Sequence, residues 1–180
     1  LADDLRYDFG TIRVSVSTVN FAPIVDLLQG ELTERGTGNL LASDTLTFNL
    51  VSAGRDPEGT TLNLKSVSFR SQAGTTSVLD LNTSGASIDG GFGKLTRVAK
   101  TDVFIYTLDQ DKADYLATGK TEFDTFKFEL VDAAGKFTES AIIITIRGTD
   151  DPTLTVNVPP TDRKSTRLNS SHVSESRMPS

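Results

Sequence analysis

The chain has no cysteine, no tryptophan, and only one histidine and one methionine in 180 residues. Without cysteine, neither a disulfide framework nor thiolate chemistry is available. The single histidine, His172, lies in a tail whose character differs from the rest of the chain. The body therefore lacks the residues for a Ser-His triad, a thiol nucleophile or a His/Cys zinc site. A pair of carboxylates would suffice for glycoside hydrolysis, but no tryptophan offers a sugar platform and tyrosine occurs only 3 times. The 10 phenylalanines stand mostly at strand positions and read as core. The chain is read as non-catalytic. No apolar run approaches the roughly 20 residues of a membrane helix, and no signal peptide is visible. The first residue is Leu1 rather than methionine, and the chain is expected to be a piece of a longer protein.

The formal net charge is −6. Residues 161–180 hold four basic side chains (Arg163, Lys164, Arg167, Arg177) against two acidic ones (Asp162, Glu175), which leaves −8 for residues 1–160. An acidic body repels phosphate backbones, which argues against nucleic acid as a partner. Acid clusters point instead to divalent cations or to plain solubility.

Periodicity of two dominates what is present. Phe126, Phe128 and Leu130 alternate with Lys127 and Glu129, a half-buried strand. Asp132 to Gly135 is a turn, because glycine accepts the positive φ of a reversal. Ile142, Ile144 and Ile146 then mark one face of a return strand that stops at Gly148-Thr-Asp-Asp-Pro152. Upstream, residues 27–33 form a candidate edge strand. Leu46, Phe48 and Leu50 alternate clearly, and 54–59 is a turn containing Pro57 and Gly59. Leu62 and Leu64 are out of phase by one with Val67 and Phe69, which predicts a β-bulge. Residues 70–93 are expected to hold one short strand around 78–81 and a long polar loop. Two strands at 95–98 and 103–108 flank a turn, and 109–119 carries at most a short helical piece. Short strands separated by turns about every ten residues indicate an all-β antiparallel sandwich of about seven strands.

Val14-Ser15-Val16 and Asn20 match Ile144-Thr145-Ile146 and Asp150 at an offset of 130 residues, and a proline closes each segment. Two such strand exits suggest a tandem repeat. Residues 1–21 are then expected to be the last strand of a preceding repeat, 22–152 a complete repeat, and 153–160 the start of a following one. Residues 161–180 have no periodicity and resemble a translated sequencing adapter. They are read as a disordered, artefactual tail.

Six phrases occur in order: Gly93-Lys-Leu, Phe104-Ile-Tyr-Thr-Leu-Asp109, Tyr115-Leu-Ala-Thr-Gly119, Asp124-Thr-Phe126, Val131-Asp-Ala-Ala-Gly135 and Gly148-Thr-Asp-Asp-Pro152. Together, over roughly residues 22–152, they resemble the VCBS-type and cadherin-like (Ig-like) repeats of large bacterial RTX-type surface adhesins. Four positions depart from the pattern. Asp150 replaces the usual Asn, the Ala before Pro152 is missing, Phe21 stands at the earlier exit where the acid belongs, and residues 99–102 replace an Asp-x-Asp-Gly turn. The resemblance implies an extracellular, non-catalytic spacer at the bacterial cell surface, strung in tandem and stiffened by Ca2+ at or near the junctions, in support of adhesion and biofilm attachment. The implied partners are neighbouring repeats of the same chain, with cell-surface glycans bound through other domains and no membrane insertion.

Calcium takes six to eight oxygen ligands. The candidates are Asp150 and Asp151 at the exit, Asp56 and Glu58 in the 54–59 turn, Asp26 near the start of the repeat, and Asp132 in the hairpin turn. Aspartate is also common in turns because its side chain caps the local backbone. Asp150 and Asp151 are adjacent acids before a proline, and they repel one another unless solvated or bound. No EF-hand spacing is present. Two alternatives remain. One is a carbohydrate- or cell-surface-binding module using the polar loops at 71–76 and 82–87, since loops on rigid sandwiches host binding. The other is a spacer within a secreted enzyme.

Overall fold

A computed structural model describes residues 19–36 and 43–150. The expectations for residues 1–18 and 151–180, Asp151 included, lie outside the described residues. Eleven strands follow in order: β1 (Ile24–Val25), β2 (Leu28–Thr33), β3 (Thr45–Asn49), β4 (Gly54–Arg55), β5 (Asn63–Arg70), β6 (Thr76–Val78), β7 (Ser87–Asp89), β8 (Gly93–Arg97), β9 (Val103–Leu108), β10 (Thr121–Val131) and β11 (Phe137–Arg147). One helical turn, α1 (Gln110–Ala113), sits between β9 and β10, and a 3-10 turn covers Val51–Ala53. Seven strands have five residues or more, as the alternation in the sequence predicts.

β10 and β11 form an unbroken antiparallel hairpin from Thr121↔Arg147 to Val131↔Phe137. Phe126, Phe128, Leu130, Ile142, Ile144 and Ile146 are fully buried on one face, while Lys127 and Glu139 form an ion pair at 2.6 Å on the other. Each such apolar side chain contributes about 1.5–3 kcal/mol on burial, whereas the exposed ion pair contributes about 0–1 kcal/mol. The hydrophobic face therefore sets the register. A one-residue slip would turn all six outward.

The hairpin is the centre of a five-stranded sheet of order β2-β11-β10-β5-β6. A four-stranded sheet of order β3-β9-β8-β7 packs over it, and β1 and β4 form a separate two-stranded ribbon. Among the described residues the pairing is antiparallel except at one place: β2 runs parallel to β11, Leu28↔Ile142 through Thr33↔Arg147. The predicted bulge is real. Glu129 faces Ser66 but Leu130 faces Leu64, so Lys65 is the extra residue. Residues 70–93 depart from expectation. They hold two strands, β6 in one sheet and β7 in the other, and bury Leu79, Ile88 and Phe92. The segment crosses between the sheets, so its few apolar residues point inward from both sides.

The sheets meet around Tyr106 and Phe126, whose ring centroids lie 6.0 Å apart, edge to face. Beside them Asp124 is a buried carboxylate at 1% exposure. It accepts hydrogen bonds from the Tyr106 hydroxyl (2.7 Å), the Gly91 N–H (2.7 Å) and the Phe92 N–H (3.0 Å). Burial, then the charge of Asp124 and its hydrogen bond, push the Tyr106 hydroxyl far above its ordinary range, so it stays a neutral donor. Gly90 is required by this arrangement, because a Cβ there would lie 2.4 Å from Asp124 Oδ2.

Asp124→Ala leaves these three donors unsatisfied and is expected to destabilise the fold by about 3–5 kcal/mol, read from urea denaturation midpoints. Lys127→Ala, at an exposed ion pair, is expected to change stability by less than about 0.5 kcal/mol. Equal midpoints for the two variants would remove Asp124 as the tie between the sheets.

Candidate functional site

Of the six acids singled out in the sequence, the five among the described residues do not converge. The parallel β2–β11 pair places the first and last long strands side by side in the same direction, so the chain comes in at one pole and leaves at the other. β11 has 11 residues, which at about 3.4 Å per residue separates the poles by roughly 34 Å.

At the incoming pole the chain is fastened to two turns. Asn20 Nδ2 donates to Asp132 Oδ2 at 2.8 Å, and the Phe21 N–H donates to Glu58 Oε2 at 3.3 Å. Thr138 Oγ1 donates to the Pro23 carbonyl at 2.6 Å. Asp132 is buried at 4% exposure. Its Oδ1 accepts the N–H groups of Ala134 (2.9 Å) and Lys136 (2.8 Å), so the side chain closes its own turn, with Gly135 at φ +88° completing the reversal. Burial acts to raise the Asp132 pKa, but the bond from Asn20 and those from the backbone of Lys136, Ala134 and Gly135 together outweigh it and hold the carboxyl below its usual value.

Asp56 also closes its own turn, its Oδ2 accepting the Thr60 N–H at 2.6 Å, while its Oδ1 is buried without a hydrogen-bond partner. Asp26 lies elsewhere. The β1–β4 ribbon pairs Ile24 with Arg55 and Val25 with Gly54, so Asp26 and Asp56 leave it at opposite ends. The Asp26 N–H donates to the Ala53 carbonyl, and its own carbonyl accepts from Ser140 Oγ.

At the outgoing pole Asp150 is exposed. Next to it stands Glu34, directly after β2, a position that no motif in the sequence marks out. Glu34 is fully buried. Its Oε1 accepts the Thr149 N–H at 2.6 Å, and its N–H donates to the Arg147 carbonyl at 2.9 Å. Thr149 Oγ1 is buried and has no hydrogen-bond partner. Gly36 and Gly148 let the backbone close in. A Cβ on Gly36 would overlap Thr149 Oγ1, and one on Gly148 would lie 2.3 Å from the Leu116 carbonyl oxygen. Among the described residues no three Asp, Glu, His or Cys side chains form a group able to hold a metal ion.

No family model matches the chain, and no curated protein matches it. Among solved structures, a nucleoside hydrolase-related hypothetical protein from Saccharophagus degradans, described as associated with carbohydrate metabolism, is similar over 71% of this chain with a TM-score of 0.39 and 13% identity. The chain spans 26% of the length of that protein. At that level the likeness carries no functional argument.

Because the folded Asp132 pKa is lowered, its stabilising contribution is present above the unfolded value of about 3.9 and is lost as pH falls through the lower folded value. Urea melts of the wild type and Asp132→Asn are expected to show a stability gap that is steady from about pH 7 to about pH 5 and shrinks below about pH 4. A gap independent of pH would mean that the charge of Asp132 contributes nothing.

Proposed function

We propose that the chain carries a non-catalytic extracellular spacer repeat of a bacterial surface adhesin, linked in tandem to like units and stiffened by calcium at its junctions. The observation that carries this reading is the parallel pairing of β2 with β11. A unit whose chain comes in and goes out at opposite poles adds its whole length to a string of repeats, which a fold with adjacent termini would not.

The outgoing pole supplies two of the carboxylates such a cation would need, and the third falls to Asp151 outside the described residues. Buried Glu34 and the buried hydroxyl of Thr149 lie beside Asp150, and Asp151 follows in sequence. Carboxylate and hydroxyl oxygens are the donors calcium takes. A bound ion would neutralise the repulsion between Asp150 and Asp151. At the incoming pole Asp56 and Glu58 are the acids that remain, since both Asp132 oxygens already accept hydrogen bonds.

Extracellular modules bind calcium with Kd of about 10⁻⁴–10⁻³ M, and a hundredfold excess over Kd stabilises by about 2.7 kcal/mol. The Tm of the chain is expected to rise by about 5–10 °C in calcium relative to chelator, and the Asp150→Ala/Asp151→Ala variant is expected to lose that rise. A melt indifferent to calcium would sink the metal part of the proposal. Two copies of residues 19–152 joined head to tail are expected to show, by small-angle scattering in calcium, a maximum dimension near twice that of one copy. A folded-back, compact pair would contradict the spacer role.

A further inference from the structure

β10 extends beyond its neighbour. Phe126 to Val131 pair with β5, whereas residues 121–125 pair only with β11. Where β5 ends, a cleft of about 750 Å³ opens, within the range of small-ligand sites. Three further segments complete it: the turn after β5 with Ser71 and Gln72, the loop before β8 with Gly91 and Phe92, and the helical segment with Asp111 and Tyr115. It lies toward the outgoing end of the sandwich, since residues 121–125 pair with residues 143–147 at the end of β11.

Two features make it more than a gap. Two of its aromatic rings are unused by the core, Tyr115 at 68% exposure and Phe123 at 56%, and Tyr115 stands 6.1 Å between ring centroids from the buried Phe92. Its charges are balanced. Arg70 and Lys112 are offset by Asp111 and the buried Asp124, and Asp124 is fixed in place by Tyr106 and two backbone N–H groups.

We propose that this cleft binds a neutral pyranose ring of a glycan. The C–H face of a pyranose carries partial positive charge and stacks on the negative face of an aromatic ring. Its hydroxyls both donate and accept, matching a lining that holds guanidinium, ammonium, amide, hydroxyl and carboxylate groups. A charged ligand would gain no net field from a balanced lining. This site does not rest on the spacer reading, because its lining includes none of the acids invoked there. Of the two polar loops considered as binding elements, 71–73 line the cleft and 82–87 do not.

The full-length chain is tested by saturation-transfer NMR with methyl glucopyranoside, galactopyranoside and mannopyranoside, with methyl glucuronide and a short Val-Ala peptide as comparators. The expected result is transfer to ring C–H protons of at least one neutral pyranoside, with amide shifts at Gly91, Phe123 and Thr125. Tyr115→Ala/Phe123→Ala should weaken binding about tenfold or more, with an unchanged melting midpoint because both side chains are exposed. Val78→Ala, an exposed residue outside the cleft, should leave binding unaltered. The proposal is overturned if no neutral pyranoside receives saturation, if transfer survives the double variant, if the glucuronide binds more tightly, or if only the peptide shifts these amides.

Discussion

Burial of one face of the β10–β11 hairpin is the constraint on which the remaining structure depends. Six fully buried side chains from two strands must all point inward, and an 11-residue pairing without a register shift holds them there. From this the rest follows geometrically. The turn at Asp132 marks one pole and the end of β11 the other. β2 can then join the free edge of β11 in parallel, and β5 meets β10 only by accommodating a bulge at Lys65. The second sheet supplies Phe104, Tyr106 and Leu95 to close the core.

Asp124 couples that core to the cleft. As the first inward residue beyond the stretch paired with β5, it sits where an apolar side chain would otherwise continue the pattern of Phe126 and Phe128. A buried carboxylate is tolerated only with its hydrogen bonds satisfied, and here one donor comes from the opposite sheet and two from the loop at Gly91 and Phe92. The same loop helps form the cleft. The cleft thus sets the buried carboxylate beside two exposed rings, Tyr115 and Phe123.

Acids that look alike in the sequence have unlike roles in space. Asp132 and Asp56 both turn back on their own loops, and Glu58 fastens the incoming chain at Phe21. Asp26 leaves its ribbon on the other side. Glu34, undistinguished in sequence, is the most enclosed carboxylate of the described residues. Such differences arise because a side chain's partners are set by which loops meet at a pole, and that depends on strand order.

The long strands could be read from the chain's alternation. Alternation at 46–50, 103–108, 126–130 and 142–146 made the strands legible, because a strand with one buried face writes its orientation in every second residue. The phase slip between Leu64 and Val67 revealed the bulge for the same reason, and Gly135 and Gly59 marked turns through their positive φ. Adjacency could not be read that way. The parallel seating of β2 on β11, the crossing of 70–93 between sheets, the burial of Glu34 and the cleft beside Tyr115 and Phe123 all join residues distant in the chain. Period-two patterning records which face is inward but carries no information about which strand lies next to it. That choice is made by packing across the whole core.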